Sequence, residues 1–245
     1  MIHLECRCHG RLIELLPPSL RGRSRRVRLK QALSLQQLLI ALRIPHPEVD
    51  LAMVNGVSVA LSHRVEDGDR IHFYPDLGDI VTREIVPLRA RPLPRSRFIL
   101  DVHLGRLARR LRLLGLDCWY SSQMEDRAIV HLAQLQERMI LTRDRGLLQR
   151  VEVSHGYYVR AIRPEAQLQE VLARFEPGPW LRPFSRCMRC NGLIETLPRD
   201  EMLRRLKPEL VQAFNVFYRC SNCRQLYWQG SHYEQLRAYV DQLLA

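Results

Sequence analysis

Two Cys-x-x-Cys pairs constrain this chain more than any other feature of its sequence. The pairs are Cys187/Cys190 and Cys220/Cys223, and 29 residues separate them. Each pair can form a knuckle that offers two thiolates to one tetrahedral zinc ion, and Gly192 permits the tight turn of a knuckle. The 7 cysteines are too unevenly spread for a disulfide scaffold, which favours metal over bridges. Because four protein ligands leave no open position, the predicted zinc is structural and not catalytic.

The interval between the two pairs is longer than in compact zinc ribbons. The segment TLPRDEMLRRLKPEL, residues 196–210, is therefore predicted to form a helical insertion. A last helix, YEQLRAYVDQLL, is predicted to follow the second pair. These features together predict a zinc ribbon with a C-terminal helix over residues 185–245.

The charge balance favours a polyanionic partner. The chain carries 38 Lys and Arg against 26 Asp and Glu, a net charge of +12, and phosphate neutralisation drives binding through counterion release. Only Lys30 and Lys207 are lysines, so nearly all of the basic residues are arginines. Codon usage explains this excess of arginine as well as the affinity of guanidinium groups for phosphates and bases does. No apolar run reaches the ~18 residues of a membrane span, and charges interrupt the N-terminal apolar stretches. We therefore expect a cytoplasmic protein with no membrane partner.

Residues 1–82 are predicted to form a small α+β domain. Strong turn signals at Asn55-Gly56 and at residues 66–69 separate short apolar runs, and Ser34 is placed to cap a helix. The predicted elements are an opening strand at Gly10–Leu16, a basic loop at residues 20–30, a helix at residues 35–44, and strands at residues 51–54, 57–61 and 70–75.

The pattern VNG…EDGDRIHFYP in this region resembles the ubiquitin-like β-grasp domains of the ThiS and MoaD sulfur carriers. Those carriers end in a free Gly-Gly that is activated as a thiocarboxylate, whereas here YPDLGD continues into more chain. The resemblance therefore implies a binding or docking domain and disfavours sulfur transfer to tRNA. Cys6 and Cys8 are interpreted as small buried thiols and not as a redox pair.

Strands and helices alternate from Arg97 onward, after a basic, proline-rich linker predicted at residues 83–96. The short apolar runs RFIL, DCWY, MILT and GYYVRAI are predicted strands, and PEAQLQEVLARF opens with the proline typical of a first helical turn. The segment between RFIL and DCWY carries one leucine stripe and ends at Gly115, as a helix does. Strands alternating with helices predict an α/β domain with a parallel sheet.

Three aspartates are candidate ligands of a divalent metal ion. Asp101 and Asp144 each follow a predicted strand, and Asp126 begins a predicted helix. Ligands of parallel sheets bind at the carboxyl ends of the strands, and carboxylate oxygens suit Mg²⁺ or Mn²⁺. A metal there could activate water and stabilise the departing oxygen in phosphodiester hydrolysis. Each aspartate alone is also explained as a helix cap.

The helix after Asp101 carries a cluster of arginines. Three of them, Arg106, Arg109 and Arg110, lie three or four positions apart and are predicted to share a face. With Arg112 they are candidates for binding the phosphates of RNA, although a solvated helix face is the simpler explanation when the helix is taken alone.

The segments FILDVHLGRLARRLRLLGLDCWY and RMILTRDRGLL resemble the PIN-like ribonuclease family named for the C-terminal domain of the Mut-seven exonuclease. Thr142-Arg143-Asp144 is similar to the PIN signature of a small hydroxyl residue two positions before an acid. The resemblance implies that Asp101, Asp126 and Asp144 are catalytic metal ligands, and Arg143 is added to the candidate RNA-binding arginines. Members of this family often carry an N-terminal ubiquitin-like domain and a C-terminal zinc ribbon.

PIN nucleases often use a fourth acid, which this sequence does not clearly supply. Glu125 is one candidate, and the others are glutamates 152, 165, 170 and 176. The leading hypothesis is nevertheless a Mg²⁺- or Mn²⁺-dependent ribonuclease acting on RNA, with tRNA or ribosome-associated RNA as candidate substrates. The alternative is a catalytically silent RNA- or ribosome-binding adaptor. The predicted domains are a β-grasp domain at 1–82, a linker at 83–96, a PIN-like nuclease domain at 97–184 and a zinc ribbon at 185–245.

Overall fold

The computed structural model describes residues 1–76, 85–86, 88, 96–198, 212–214 and 216–244. The chain divides into two compact units. The first unit combines Met1–Pro94 with Asp126–Tyr158, and the second combines Arg95–Glu125 with Val159–Ala245. Most of the linker predicted at residues 83–96, and most of the helical insertion predicted at residues 196–210, lie outside the described residues.

A mixed sheet of five strands forms the centre of the first unit. The strands lie in the order β2-β1-β5-β3-β4. β1 is parallel to β5, and the other neighbouring strands are antiparallel. The strands are β1 (Ile2–Cys8), β2 (Arg25–Leu29), β3 (Leu51–Val54), β4 (Val57–Ser58) and β5 (Arg70–Tyr74).

The first strand of this sheet precedes the predicted one. In β1 Leu4, Cys6 and Cys8 are buried while the residues between them are not, which is the alternation of a half-buried strand. The predicted strand at Gly10–Leu16 is wrong, because Gly10–Leu15 forms a short 3-10 helix. Gly10 ends the strand at φ +53°, and a Cβ atom there would lie 2.8 Å from the Pro75 ring.

The segment predicted as a basic loop also contains a strand. β2 pairs antiparallel with β1 and lies at the edge of the sheet. Its Val27 and Leu29 pack against the core, whereas Arg26 and Arg28 are exposed. Charged residues are common on edge strands, where they oppose pairing with other chains. The loop prediction was therefore wrong from Arg25 onward.

The predicted helix over this sheet is confirmed. Helix α1 (Leu35–Ala41) begins with a capping box, in which the Ser34 hydroxyl accepts from the Gln37 amide and the Gln37 side chain accepts from the Ser34 amide. Leu35, Leu38 and Leu39 are fully buried and belong to the core on the inner face of the sheet.

The first unit also contains the segment from Asp126 to Tyr158, and this segment packs on the β-grasp domain through polar contacts. The Tyr158 amide donates to the buried Glu48 carboxylate, and a ring nitrogen of His46 lies 2.9 Å from the Val153 carbonyl oxygen. Strand β8 runs parallel to β9. The elements of the segment are α3 (Asp126–Leu135), β8 (Met139–Thr142), α4 (Arg145–Leu148) and β9 (Gly156–Tyr158).

The second unit begins with a strand–helix–strand element. Strands β6 (Arg97–Leu100) and β7 (Asp117–Tyr120) are parallel, and helix α2 (Gly105–Leu113) connects them. The leucine stripe of α2 is buried, and the chain leaves the helix at Gly115, where φ is +84°. A Cβ atom at Gly115 would lie 2.0 Å from the Arg182 carbonyl oxygen, so only glycine fits there. Helix α5 (Pro164–Phe175) follows in the same unit.

The C-terminal part of the second unit is a three-stranded antiparallel ribbon followed by a helix. The strands β10 (Ile194–Leu197), β11 (Phe217–Cys220) and β12 (Leu226–Trp228) lie in sequence order, and α6 spans Ser231–Leu244. The predicted α/β fold class, with a β-grasp domain, parallel strands and a ribbon, is confirmed. No helix in the described part of the chain has the length and apolar character needed to cross a membrane.

Candidate functional site

The four predicted zinc ligands lie together in the second unit. The Sγ atoms of Cys187, Cys190, Cys220 and Cys223 are all within 4.8 Å of one another. The sulfur of Cys187 is 3.6 Å from that of Cys223, and the sulfur of Cys190 is 3.4 Å from that of Cys220. Zn–S bonds of about 2.3 Å in a tetrahedron separate sulfurs by about 3.8 Å. The four cysteines could therefore hold a metal ion such as zinc with little movement.

The two cysteine pairs are built in the same way. In each, the fourth residue after the first cysteine has positive φ, Asn191 at 72° and Arg224 at 61°. The amides of these two residues donate to the carbonyl oxygens of Cys187 and Cys220, at 2.9 and 3.2 Å. This repeated turn presents the sulfurs of both pairs to one point.

The surroundings of the cysteines allow their close approach and shift the pKa values of the thiols in different directions, since burial raises the pKa of Cys220 and of Cys223. Burial raises the pKa of the Cys190 thiol, but hydrogen bonds from the Gly192 amide and from the other three cysteines outweigh it and lower this pKa to about 6. The Tyr227 hydroxyl lies 3.0 Å from the Cys187 sulfur, to which it can donate. A Cβ atom on Gly192 would lie 2.7 Å from the Cys220 sulfur. Gly192 is thus needed for the approach of the two pairs.

The first knuckle is fixed to the edge of β7 by polar contacts. The Asn191 side chain accepts from the Cys118 amide at 2.9 Å and donates to Asp117 at 2.7 Å. The buried Arg112 guanidinium donates to the carbonyl oxygens of Cys118 at 2.9 Å and of residue 189 at 3.0 Å. The ribbon is therefore integrated with the α/β part of the second unit.

These contacts correct the prediction that Arg112 binds RNA. Arg112 is 2% exposed, and its guanidinium donates hydrogen bonds to three backbone carbonyls. It therefore cannot reach a phosphate backbone. Burial lowers its pKa below the ordinary value, since desolvation disfavours the charged form. Arg112 joins the ribbon to the strand–helix–strand element.

We expect Arg112→Met to destabilise the second unit by roughly 2–4 kcal/mol, because the carbonyls that Arg112 satisfies would be left buried and unpaired. Urea unfolding followed by tryptophan fluorescence measures this, because all 3 tryptophans of the chain lie in the second unit. Arg109→Gln is the matched control, because Arg109 is exposed on the same helix. Equal stability of the two variants would contradict the structural role of Arg112.

Two other arginines of α2, Arg106 and Arg109, line a cleft inside the second unit. The cleft has a volume of about 510 Å³, and Arg106 and Arg109 are exposed at its wall. Arg110 forms an ion pair with Glu165 of α5, which compensates its charge. The cleft is lined by His103, Gly105, Arg106, Arg109, Tyr120, Ile162, Pro164 and Gln167.

Tyr120 is a cleft residue that sequence reasoning missed. Its hydroxyl donates to the Val102 carbonyl at 3.1 Å, and a Cβ atom on Gly105 would lie 2.5 Å from that hydroxyl oxygen. Gly105 thus allows the tyrosine ring to pack over the start of α2. Tyr120 ends the predicted strand DCWY, so its position at the carboxyl end of a strand was the available signal.

Asp101 lies where the sequence places it, directly after β6 in the second unit. It is 3% exposed and precedes a short 3-10 turn that leads into α2. Its carboxylate makes no capping hydrogen bond to that turn. The capping explanation for Asp101 is therefore not supported.

Asp126 and Asp144 belong to the first unit, and both have structural partners there. Asp144 follows β8 and caps α4, accepting from the Gly146 amide at 2.7 Å. Its own amide donates to the Thr142 hydroxyl at 2.8 Å, which explains the hydroxyl two positions before the acid. Asp126 begins α3 and lies 3.7 Å from the Arg150 guanidinium. A joint metal site of the three aspartates stays a prediction.

Among the candidates for a fourth acid, Glu165 and Glu170 are engaged elsewhere. Glu165 pairs with Arg110, and Glu170 accepts from the amides of Arg160 and Ala161 at 2.9 and 2.8 Å. Glu125 is exposed. In the described part of the chain, the four cysteines are the one group of three or more potential ligands whose ligand atoms lie together.

Comparison with protein families gives two matches that together cover most of the chain. Residues 96–240 match the model of the Mut7-C RNAse domain. The chain belongs to this family. Residues 1–80 match the Mut7-C ubiquitin domain, which agrees with the mixed sheet and helix of the first unit. Searches of the curated proteins and of the solved structures gave no match. The predicted family and its N-terminal ubiquitin-like domain are thus confirmed, and a nuclease-type hydrolase is the activity that the family suggests.

Proposed function

We propose that this protein is a metal-dependent ribonuclease. The observation that carries the proposal is the joint placement, within the Mut7-C RNAse family match, of Asp101 at the end of β6 and of the cationic cleft that begins two residues later. An acid at a strand end beside cationic side chains suits metal-assisted phosphodiester hydrolysis, because the acid can help to hold the metal and the cations stabilise the phosphate charge. The substrate class is RNA, with tRNA and ribosome-associated RNA as the candidates to test first.

Asp101, Asp126 and Asp144 are the proposed ligands of Mg²⁺ or Mn²⁺. These hard cations prefer carboxylate oxygens, and the three residues supply only oxygen donors. When bound, such an ion supplies an activated water and stabilises the departing oxygen. Asp101 is buried, which strengthens its interaction with any cation it meets.

Arg106 and Arg109 are the proposed contacts to the RNA backbone, since both are exposed at the cleft. Arg110 contributes less, because Glu165 neutralises it. Arg143 is partly buried beside Asp144 and is proposed to assist from the first unit. The four cysteines are proposed to hold a zinc ion that stabilises the ribbon and leaves no position for substrate.

A second candidate, an RNA- or ribosome-binding adaptor without catalysis, is favoured by one observation. The Asp144 carboxylate caps α4, and the Asp126 carboxylate lies near Arg150. Each of these contacts gives its carboxylate a structural role that needs no metal. Incubation with labelled single-stranded and structured RNAs, with and without Mn²⁺, separates the two candidates. Metal-dependent cleavage supports the nuclease, and binding without cleavage supports the adaptor.

The cleft arginines give a prediction about salt. We expect the Arg106→Gln, Arg109→Gln double variant to bind RNA more weakly whatever the RNA sequence. The logarithmic salt slope should fall by about 0.7 for each lost phosphate contact to a single strand. Fluorescence anisotropy at several salt concentrations in EDTA measures both effects.

The control for this prediction is Arg237→Gln on α6, which removes an exposed arginine far along the chain from the cleft residues. It should bind RNA as wild type does. A double variant with an unchanged slope would place Arg106 and Arg109 on an ordinary solvated helix face.

A further inference from the structure

The β-grasp sheet of the first unit has one face that α1 does not cover. Helix α1 and the core lie on the inner face, with Leu4, Cys6 and Phe73. Residues that lie directly opposite each other on paired strands point to the same side of a sheet. The register places a further set of side chains on the opposite side of the sheet. Leu51 and Met53 of β3 belong to this set, but Leu51 is buried, so the name outer face is used here only for the part of this side on the other three strands. Its members are His3, Glu5 and Arg7 of β1, Arg26 and Arg28 of β2, and Arg70, His72 and Tyr74 of β5.

The outer face is cationic. Arg7, Arg26 and Arg28 are exposed, and Arg70 has a side chain that is 76% exposed. Glu5 lies opposite Arg26 on one side and Arg70 on the other, so one carboxylate serves two guanidinium groups. The remaining arginines give this face an excess of positive charge that suits a polyanion.

Three rings are stacked on the same face. The ring of His9, just after β1, lies 4.3 Å from that of Tyr74 at an interplanar angle of 10°, and 5.1 Å from that of His72 at 18°. The His9 Nε2 atom is 2.9 Å from the His72 Nδ1 atom, which holds the two imidazoles in place. Burial, with the nearby His72 and Arg7, lowers the pKa of His9, which favours the neutral form of its ring.

None of these three rings is fully buried, so they contribute less packing to the core than buried rings of the same size would. An aromatic platform beside guanidinium groups is the arrangement with which proteins bind single strands, because phosphates pair with arginines and bases stack on rings. Protein interfaces, by contrast, are depleted of charge at their centre. The composition of the outer face thus favours a nucleic-acid strand over a protein surface.

We propose that the outer face of the β-grasp sheet binds single-stranded RNA, with its arginines on the phosphates and a base on the stack of His72, His9 and Tyr74. This gives the N-terminal domain its own RNA contact, separate from the cleft residues of the second unit. The inference rests on the proposed function only in taking RNA as the polymer.

The test uses the full-length protein in EDTA and a labelled single-stranded RNA, with binding measured by fluorescence anisotropy. We expect Tyr74→Leu to weaken binding at least ~5-fold through lost stacking, and Tyr74→Phe to bind as wild type does. The Arg26→Gln, Arg28→Gln double variant should lower the logarithmic salt slope by about 1.4. The matched control is Arg43→Gln, because Arg43 is exposed and follows α1 on the other face of the sheet.

Two competitors identify the polymer. An oligonucleotide with abasic positions should bind more weakly than the intact strand, whereas polyglutamate should not displace RNA at equal charge. Equal binding of the abasic strand, or displacement by polyglutamate, would overturn the proposal in favour of a purely electrostatic or acidic-protein site. The exposed arginine pair keeps the test decisive if Tyr74→Leu does not fold.

RNA binding by the outer face and the proposed nuclease activity can be tested independently. Binding that depends on the outer face, in a protein that cleaves no RNA, supports this inference and removes the proposed catalysis. Metal-dependent cleavage with outer-face variants that bind like wild type keeps the nuclease and overturns this inference.

Discussion

Replacing Cys187 or Cys223 with serine should remove the metal from the freshly purified protein and unfold the ribbon formed by β10, β11 and β12. The four sulfurs already lie within 4.8 Å of one another, so a bound ion links both knuckles directly. Thiolate coordination supplies folding free energy, with apparent affinities on the order of 10 kcal/mol for structural zinc. Elemental analysis should find roughly one zinc per wild-type chain and much less in either variant.

Apart from the metal and the polar contacts of its first knuckle with α2 and β7, the ribbon has only a small apolar core in the described part of the chain. Its own core consists of Leu197 and Phe217, with Phe214 and Leu226 packed against them. Loss of the ion should therefore expose the ribbon to limited proteolysis, while the β-grasp domain stays protected. A chelator that binds zinc more strongly than EDTA does should have the same effect on the wild type.

Cysteines outside the cluster provide the control. Cys8→Ala and Cys118→Ala remove buried thiols from the first and second units without touching a proposed ligand. Both variants should keep the wild-type zinc content, although each loses some packing. Wild-type protein without stoichiometric metal, or full zinc content in Cys187→Ser, would contradict the metal centre.

Local signals in the sequence predicted much of the fold. Helix α5 is the clearest case, because its predicted and observed limits agree at Pro164 and Phe175. Its buried residues Leu168, Val171 and Phe175 recur at helical spacing, and the chain leaves the helix at Glu176 with φ +45°. The capping box of α1 and the two cysteine turns are equally local. Such features can be predicted because the residues that stabilise them are close in sequence.

The errors have two physical causes. In β1 the buried positions include Cys6 and Cys8, which are small thiols and give a weaker apolar pattern than leucines do. In β2 the exposed arginines of an edge strand resemble those of a loop, so Arg25–Leu29 carried no clear strand signal. In both strands the pairing partner, and not the local sequence, fixes the conformation.

The candidate site could be predicted only in part. The spacing of the four cysteines identifies them as candidate metal ligands. The sequence does not show in the same way which arginines on α2 are exposed and which are buried. Arg109 is exposed and Arg112 is buried, although both lie on one basic helix. The difference depends on the carbonyl of residue 189, which is 77 positions away from Arg112 in the sequence. Likewise, the hydrogen bond from the Tyr158 amide to Glu48 joins residues 110 positions apart, so the sequence near either residue does not predict it.

Changing Asp101 and Asp144 to asparagine should lower RNA cleavage by at least ~100-fold if these carboxylates hold the catalytic metal. Asparagine keeps the size and much of the hydrogen bonding but removes the charge that attracts a divalent cation. At position 144 this choice matters, because the Asp144 side chain caps α4. Asparagine caps as well as aspartate does, whereas alanine would add a stability loss of roughly 1 kcal/mol.

Binding should respond in the opposite direction from cleavage. RNA affinity in EDTA should persist or rise in the two variants, because a negative charge that faces phosphates has been removed. Asp241→Asn is the matched control, since Asp241 is an exposed acid on α6 that pairs along its own helix with Arg237. It should leave both cleavage and affinity unchanged.

The pair of measurements separates the nuclease from the adaptor. A wild-type protein that binds RNA but cleaves none of the single-stranded or structured substrates in Mn²⁺ would leave the adaptor as the better account. Cleavage that survives in the Asp101→Asn, Asp144→Asn double variant would point to a contaminating nuclease or to a site elsewhere. Only the loss of cleavage with retained binding and unchanged thermal stability assigns the carboxylates to chemistry, because a structural role alone would lower stability and affinity together.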